Sequence, residues 1–355
     1  ESSINKSIYL VSNDQNCFYV QHYTSRLSYS SPLCLYGCKF QSIRYSSSKG
    51  GAIYISYNTI TSQINHFENC IFSFCLGSEG GALYINTTQF SKTEIYNCTF
   101  DSNSATTKGG VILLTNTVFK LFECHFLNNG MNVQNKPIFG GSLYLWTSEG
   151  TIERCKFINN YSIFISTTDL TIDSFGGMIY IFQTNTIFDQ CIFNNNTMQT
   201  RKRSGSPDGY VPSMYGAVLS ITTSQCNFTN SNFSNNKGIS DNSVTTGQCS
   251  GCSIYANKSS IINVEFCNFS NNLLYEVGYL AIFHGMSGIG AYLYESNGTF
   301  LGCKFINNTS CTYDNSNNCG IESRGAAVVI HYSYGSFDKC VFINNSFSAS
   351  GSSRY

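Results

Sequence analysis

Along most of the chain, aliphatic residues alternate with polar or aromatic ones in short runs, each opened by small residues. "GGAIYI" from Gly50, "GGALYI" from Gly80, "GGVILL" from Gly109, "GGSLYL" from Gly140 and "GGMIYI" from Gly176 are copies of one phrase. Looser copies open at Gly216, Gly251, Gly290 and Gly325. The third position after each first glycine is Ile53, Leu83, Ile112, Leu143, Ile179, Leu219, Ile254, Leu293 or Val328, always aliphatic. A period of two with one apolar face predicts a half-buried strand.

A second phrase follows each of these. Phe72, Phe100, Phe126, Phe157, Phe193, Phe233, Phe269, Phe305 and Phe342 stand 22, 20, 17, 17, 17, 17, 18, 15 and 17 residues after their glycines, and Phe40 ends an earlier half-repeat. Two residues before the phenylalanine comes Cys38, Cys70, Cys98, Cys124, Cys155, Cys191, Cys267, Cys303 or Cys340, with Ser231 the one exception. Two and three residues after it, the last seven repeats carry paired asparagines, as in "FLNN" and "FINN".

A unit of two short strands cannot bury its apolar face alone, so the units must stack as coils. The expected fold is all-β: a right-handed parallel β-helix of about ten coils, with ladders of Cys, Phe and Asn about 4.8 Å apart. Residues 1–33 are expected to form a cap or first coil, 34–345 the repeats, and 346–355 a Ser/Gly-rich tail. The first asparagine of each pair shares the parity of the phenylalanine and is assigned inward. The second is assigned to a left-handed corner.

Composition narrows the function. Lys plus Arg and Asp plus Glu both total 20, which leaves no global field to attract nucleic acid. No apolar run reaches the roughly eighteen residues of a spanning helix, so no membrane insertion is expected. Thirteen N-x-S/T triplets favour a secreted glycoprotein at the cell surface or in the extracellular matrix. Candidate glycosylation sites are Asn86, Asn97, Asn160, Asn232, Asn257, Asn268, Asn297 and Asn308. Asn195, Asn307 and Asn344, assigned inward, are expected to stay bare.

The alternation of "GGAI" with "FxxN" resembles the repeats of the chlamydial polymorphic outer membrane proteins and similar surface proteins of some protists. "GGAIYI", "FLNN" and "FINN" carry the likeness over most of residues 34–345. The resemblance implies a surface-exposed β-helix adhesin. No translocator barrel follows the repeats within this sequence, and the acceptor triplets suit a eukaryotic secretory route better than a bacterial one.

Position four after the glycine points outward and is Tyr54, Tyr84, Tyr144, Tyr180, Tyr255 or Tyr294, an expected exposed stripe. Such a stripe is either ordinary β-surface or a platform for sugar rings or another protein. Insertions gather between each phenylalanine and the next glycine; the longest holds "TRKRSGSPDGYVP", Thr200 to Pro212. Of the 17 cysteines, Cys311 and Cys319 flank a polar loop that a disulfide would close, while ladder thiols are expected to stay free. "CSGC", Cys249 to Cys252, lacks the second pair or histidines a zinc site needs. The acidic residues are scattered and the five histidines share no register, so no catalytic residue, metal or cofactor is expected. The leading expectation is a structural protein that assembles head-to-tail. The alternative is a monomeric adhesin or glycan-binding module, and the third is a polysaccharide lyase or hydrolase.

Overall fold

The computed structural model describes residues 16–59, 64–167, 173–202, 213–242, 248–278, 284–314, 321–324 and 326–351. Every named strand pair is parallel, and the strands form sheets of 19, 11, 10 and 5 members. The architecture is a parallel β-helix. One coil shows the plan: Ile179–Phe182 and Asn185–Asp189 lie in the largest sheet, Ile192–Asn194 in the next and Thr197–Lys202 in the third. Met214–Tyr215, in the smallest sheet, leads into the following coil.

The corners obey one rule. Gln183, Gln190 and Asn195 have φ of 50°, 53° and 53°, and each is followed by a buried residue, Thr184, Cys191 or Asn196. A corner breaks the ladder, and an inward N–H there would be orphaned in the core. The side chain of the equivalent residue one coil further accepts it instead. Thr184 N–H donates to Ser224 Oγ at 3.0 Å, Cys191 N–H to Ser231 Oγ at 3.1 Å and Asn196 N–H to Asn236 Oδ1 at 3.1 Å. Ser231 therefore substitutes for cysteine without leaving its ladder. The hydroxyl ladder through Ser148, Thr184, Ser224, Ser260, Ser296 and Ser333 has no obvious sequence phrase.

At the fourth corner, Gly140 has φ of +66°, and an added Cβ would meet the Leu143 carbonyl oxygen at 1.9 Å. That explains the first glycine of the phrase. The second gives way to Ala217, Cys252 and Ile289 in later coils, where longer insertions bring Met198, Met214 and Leu274 into a small second core.

The main core is built on the phenylalanine ladder. Its rings stack with centroids 4.5 Å apart from Phe126 to Phe157 and 5.0 Å from Phe157 to Phe193, and Tyr23 extends the stack beyond Phe40 at 4.6 Å. Asn16–Tyr19, His22–Tyr23 and Leu27–Tyr29 thus form a rung ahead of the first phrase.

Several expectations are corrected. The asparagine pair is reversed: Asn128 is exposed at φ +55°, whereas Asn129 is fully buried. The left-handed corner shifts side-chain parity by one, which strict alternation cannot foresee. The eighth motif glycine is Gly288, not Gly290: it has φ of +63°, and Ala291 and Tyr292 pair with Ile254 and Tyr255. Ser346–Gly351 is no separate tail, because it pairs with Thr309–Asp314. Among the described residues a disulfide joins Cys17 and Cys34, directly paired on neighbouring rungs with Cα atoms 4.5 Å apart. Cys311 is a free thiol, and Cys319 lies outside the described residues. Most of the Thr200–Pro212 segment lies outside them too.

Candidate functional site: an aromatic cleft beside the glycine corner

Two outward rows converge where the chain turns through the motif glycine. The residue before the glycine forms a wall: Glu79, Lys108, Phe139, Phe175 and Tyr215 follow one another rung by rung. The fourth residue after it forms a floor: Tyr54, Tyr84, Leu113 and Tyr144, then Tyr180, Ser220, Tyr255 and Tyr292. Contacts between the rows show that the corner is concave outward. Phe139 meets Tyr180 at 5.1 Å and Tyr144 edge-on at 6.4 Å.

The expected exposed stripe is therefore largely covered. Tyr84 and Tyr144 are each 5% exposed, Tyr180 and Tyr255 are also buried, and Tyr54 is half-buried. Tyr294 is out of register with the floor, two residues beyond Tyr292. The outward assignment was right, but the wall, which linear alternation does not reveal, folds over the row.

Leu113 interrupts the floor. Its side chain stops short of the space a tyrosine ring would fill between Tyr84 and Tyr144, and a cleft of about 480 Å³ opens there. That volume suits a small ligand. Lys49, Glu79 and Lys108 line one side; Asn86, Thr115 and Trp146 line the other. Those last three are paired neighbours along the sheet, two positions past the floor. Trp146 is the chain's single tryptophan and is 42% exposed. Sequence reasoning passed over it, although its uniqueness in a row otherwise holding Asn86 and Thr115 was a readable signal.

The charges are not equivalent. Lys49 Nζ lies 3.2 Å from Glu79 Oε2, donates to the Tyr84 hydroxyl at 3.2 Å and sits over the Tyr84 ring. Burial opposes charge on Lys49, but these two partners outweigh it and hold its pKa above the ordinary lysine value. Burial also raises the Tyr84 and Tyr144 phenols, so both stay neutral donors at physiological pH. Lys108 Nζ lies 5.3 Å from the Tyr144 ring centroid and 5.9 Å from that of Trp146. Among the described residues, no ion pair includes Lys108. The cleft thus offers one unneutralised cation beside a partly exposed indole. Glu79 is the only carboxylate lining it.

Four of the scattered acids elsewhere sit in surface pairs. His66 lies between Glu68 and Glu94, Lys120 reaches Glu153, and Arg154 reaches Glu123. Among the described residues, no group of three or more His, Cys, Asp or Glu could hold a metal ion. Among the described residues, no helix is long and apolar enough to cross a membrane.

Burial separates the candidate glycosylation sites. Asn97 and Asn297 are exposed; Asn86, Asn232 and Asn268 are partly so; Asn257 is buried. Asn160 and Asn308, at 1% and 0% exposure, are members of the inward asparagine ladder. Asn195, Asn307 and Asn344, assigned inward, instead stand exposed at corners. Comparison with protein-family models, with curated proteins and with solved structures finds no match.

Proposed function

We propose that this chain is an extracellular β-helix that binds carbohydrate in the cleft at Leu113, acting as an adhesive module. The observation that carries the reading is the exposed Trp146 indole beside Lys108, whose ammonium has no ion-pair partner among the described residues. A sugar ring stacks its apolar face on an indole, while its hydroxyl groups meet Asn86, Thr115 and the tyrosine hydroxyls. Lys108 adds a preference for an acidic sugar carrying a carboxylate or sulfate. The Cys17–Cys34 disulfide and the acceptor triplets support an oxidising, secretory setting. Binding is favoured over hydrolysis because the cleft supplies a single carboxylate, already held by Lys49, where hydrolysis uses two. The test is a panel of acidic and neutral oligosaccharides against the native protein and Lys108→Gln. Acidic members should bind, and the variant should lose about tenfold on those members alone. A panel with no binder would remove the reading.

End-on association of copies is a second reading, supported by the unbroken rung-to-rung stacking of the phenylalanine ladder. A second copy stacked coil on coil would continue the ladder that Phe305 and Phe342 already form at 5.0 Å. Electron microscopy of the native protein should then show fibres with an axial repeat of roughly 50 Å. Dispersed single rods would exclude it.

A further inference from the structure

The same two rows that form the cleft form a second one further along. Tyr215, Tyr255, Tyr292, Tyr294 and His331 line a space of about 300 Å³. Tyr215 belongs to the wall and Tyr255 and Tyr292 to the floor. Beyond Tyr215 the wall falls away to Ser250 and Ser287, which opens the groove again after the aromatic stretch at Phe139 and Phe175. Tyr255 and Tyr292 stack at 5.6 Å, and the Tyr292 hydroxyl lies 3.0 Å from His331 Nδ1.

We infer that both clefts are ends of one binding track, occupied by a single linear polysaccharide lying parallel to the helix axis. From Leu113 to Tyr292 the floor runs five rungs, a distance of about 24 Å at about 4.8 Å per rung. Between them a file of ring contacts runs along the half-buried wall, past Ser220 in the floor, and on to Tyr255. Trp146 meets Phe182 at 6.2 Å, and Phe139 stacks on Phe175 at 6.0 Å, Phe175 on Tyr215 at 5.0 Å. The strand spacing repeats at every rung, and a ligand of similar repeat meets equivalent positions along it. An extended peptide advances about 3.3 Å per residue and drifts out of phase. A chain of pyranose rings, each ring a little longer than one rung, stays closer to step than a peptide does.

This inference rests on the carbohydrate reading of the first cleft, and ligand length separates the two. The probe is a hyaluronan series, from disaccharide to decasaccharide, titrated against the full chain by calorimetry. The track requires affinity to climb by about tenfold or more between tetrasaccharide and decasaccharide, because the second cleft then adds an intramolecular contact. Tyr292→Ser should return the decasaccharide to tetrasaccharide affinity and leave the tetrasaccharide unchanged. His331→Ala, at a more exposed position, should act in the same direction if Tyr292→Ser fails to fold. Equal affinity at every length would overturn the track while sparing the first cleft. No binding at any length would overturn both for this polymer class.

Discussion

Asn160 Oδ1 accepts both the backbone N–H of Asn129, at 3.0 Å, and its side-chain amide, at 3.1 Å, while Asn160 Nδ2 donates to the Phe126 carbonyl at 2.9 Å. One buried amide thus closes the Phe126–Asn129 corner of the coil before, and its own corner is closed in turn by Asn196 of the coil after. The ladder is obligatory polar structure inside an apolar core, so each member is worth more than its own hydrogen bonds.

Asn160→Ala leaves the two Asn129 donors without their acceptor. Each such buried donor costs roughly 1–3 kcal/mol. Urea unfolding should show a loss in that combined range, and hydrogen exchange should rise first at the Phe126 and Phe157 corners. A loss below about 0.5 kcal/mol, the level of an ordinary surface change, would contradict the ladder's role.

Alkaline pH should unfold the chain cooperatively. Burial pushes the Cys191 and Cys252 thiols from 9.0 up to about 12, and burial pushes the Tyr215 phenol from 10.0 up to about 12. These groups are neutral in the folded coil. Their contribution is fully present below the unfolded values and is lost as pH rises through the folded ones, because the unfolded chain releases those protons first. Circular dichroism should therefore fail between about pH 9 and pH 12, with thiolate and tyrosinate absorbance appearing together. Thiolate absorbance at neutral pH with native dichroism would contradict the buried ladder.

Expressed through a eukaryotic secretory route, the chain should carry glycans at Asn97 and Asn297 and none at Asn160, Asn257 or Asn308. A glycan on a ladder asparagine replaces an amide hydrogen that the core uses and has no room beside Phe157 or Phe305. Asn195 and Asn307, exposed at corners, become acceptors on the same argument. Glycopeptide mapping of folded, secreted protein checks this, and occupancy at Asn160 would contradict it.

The phenylalanine and cysteine ladders were legible in the sequence because a solenoid repeats its core residues at fixed offsets. Cys75 shows the limit of that reading: it looked off-register, yet it occupies the asparagine ladder, where its N–H donates to Asn103 Oδ1 at 3.0 Å. Asn128 and Asn129 were exchanged because a left-handed corner shifts parity, and Gly288 was missed because Gly290 offered a competing phrase. The cleft was least legible. It arises where Lys108 and Trp146, far apart in the chain, meet across a bend, and where Leu113 leaves a tyrosine out.

That omission supplies the most direct test of the binding claim. Leu113→Tyr adds the ring that Tyr84 and Tyr144 already carry in the same register, and at this 3%-exposed position it should cost no more than the roughly 1–3 kcal/mol of an overpacked site, leaving the chain folded. The added ring intrudes on the part of the cleft between Tyr84 and Tyr144, where Lys108 and Trp146 also reach. Titrating native and Leu113→Tyr protein with the best acidic oligosaccharide should show binding in the first and a loss of at least about a hundredfold in the second. A folded Leu113→Tyr protein that binds as tightly as the native chain would place any carbohydrate site elsewhere and contradict the account.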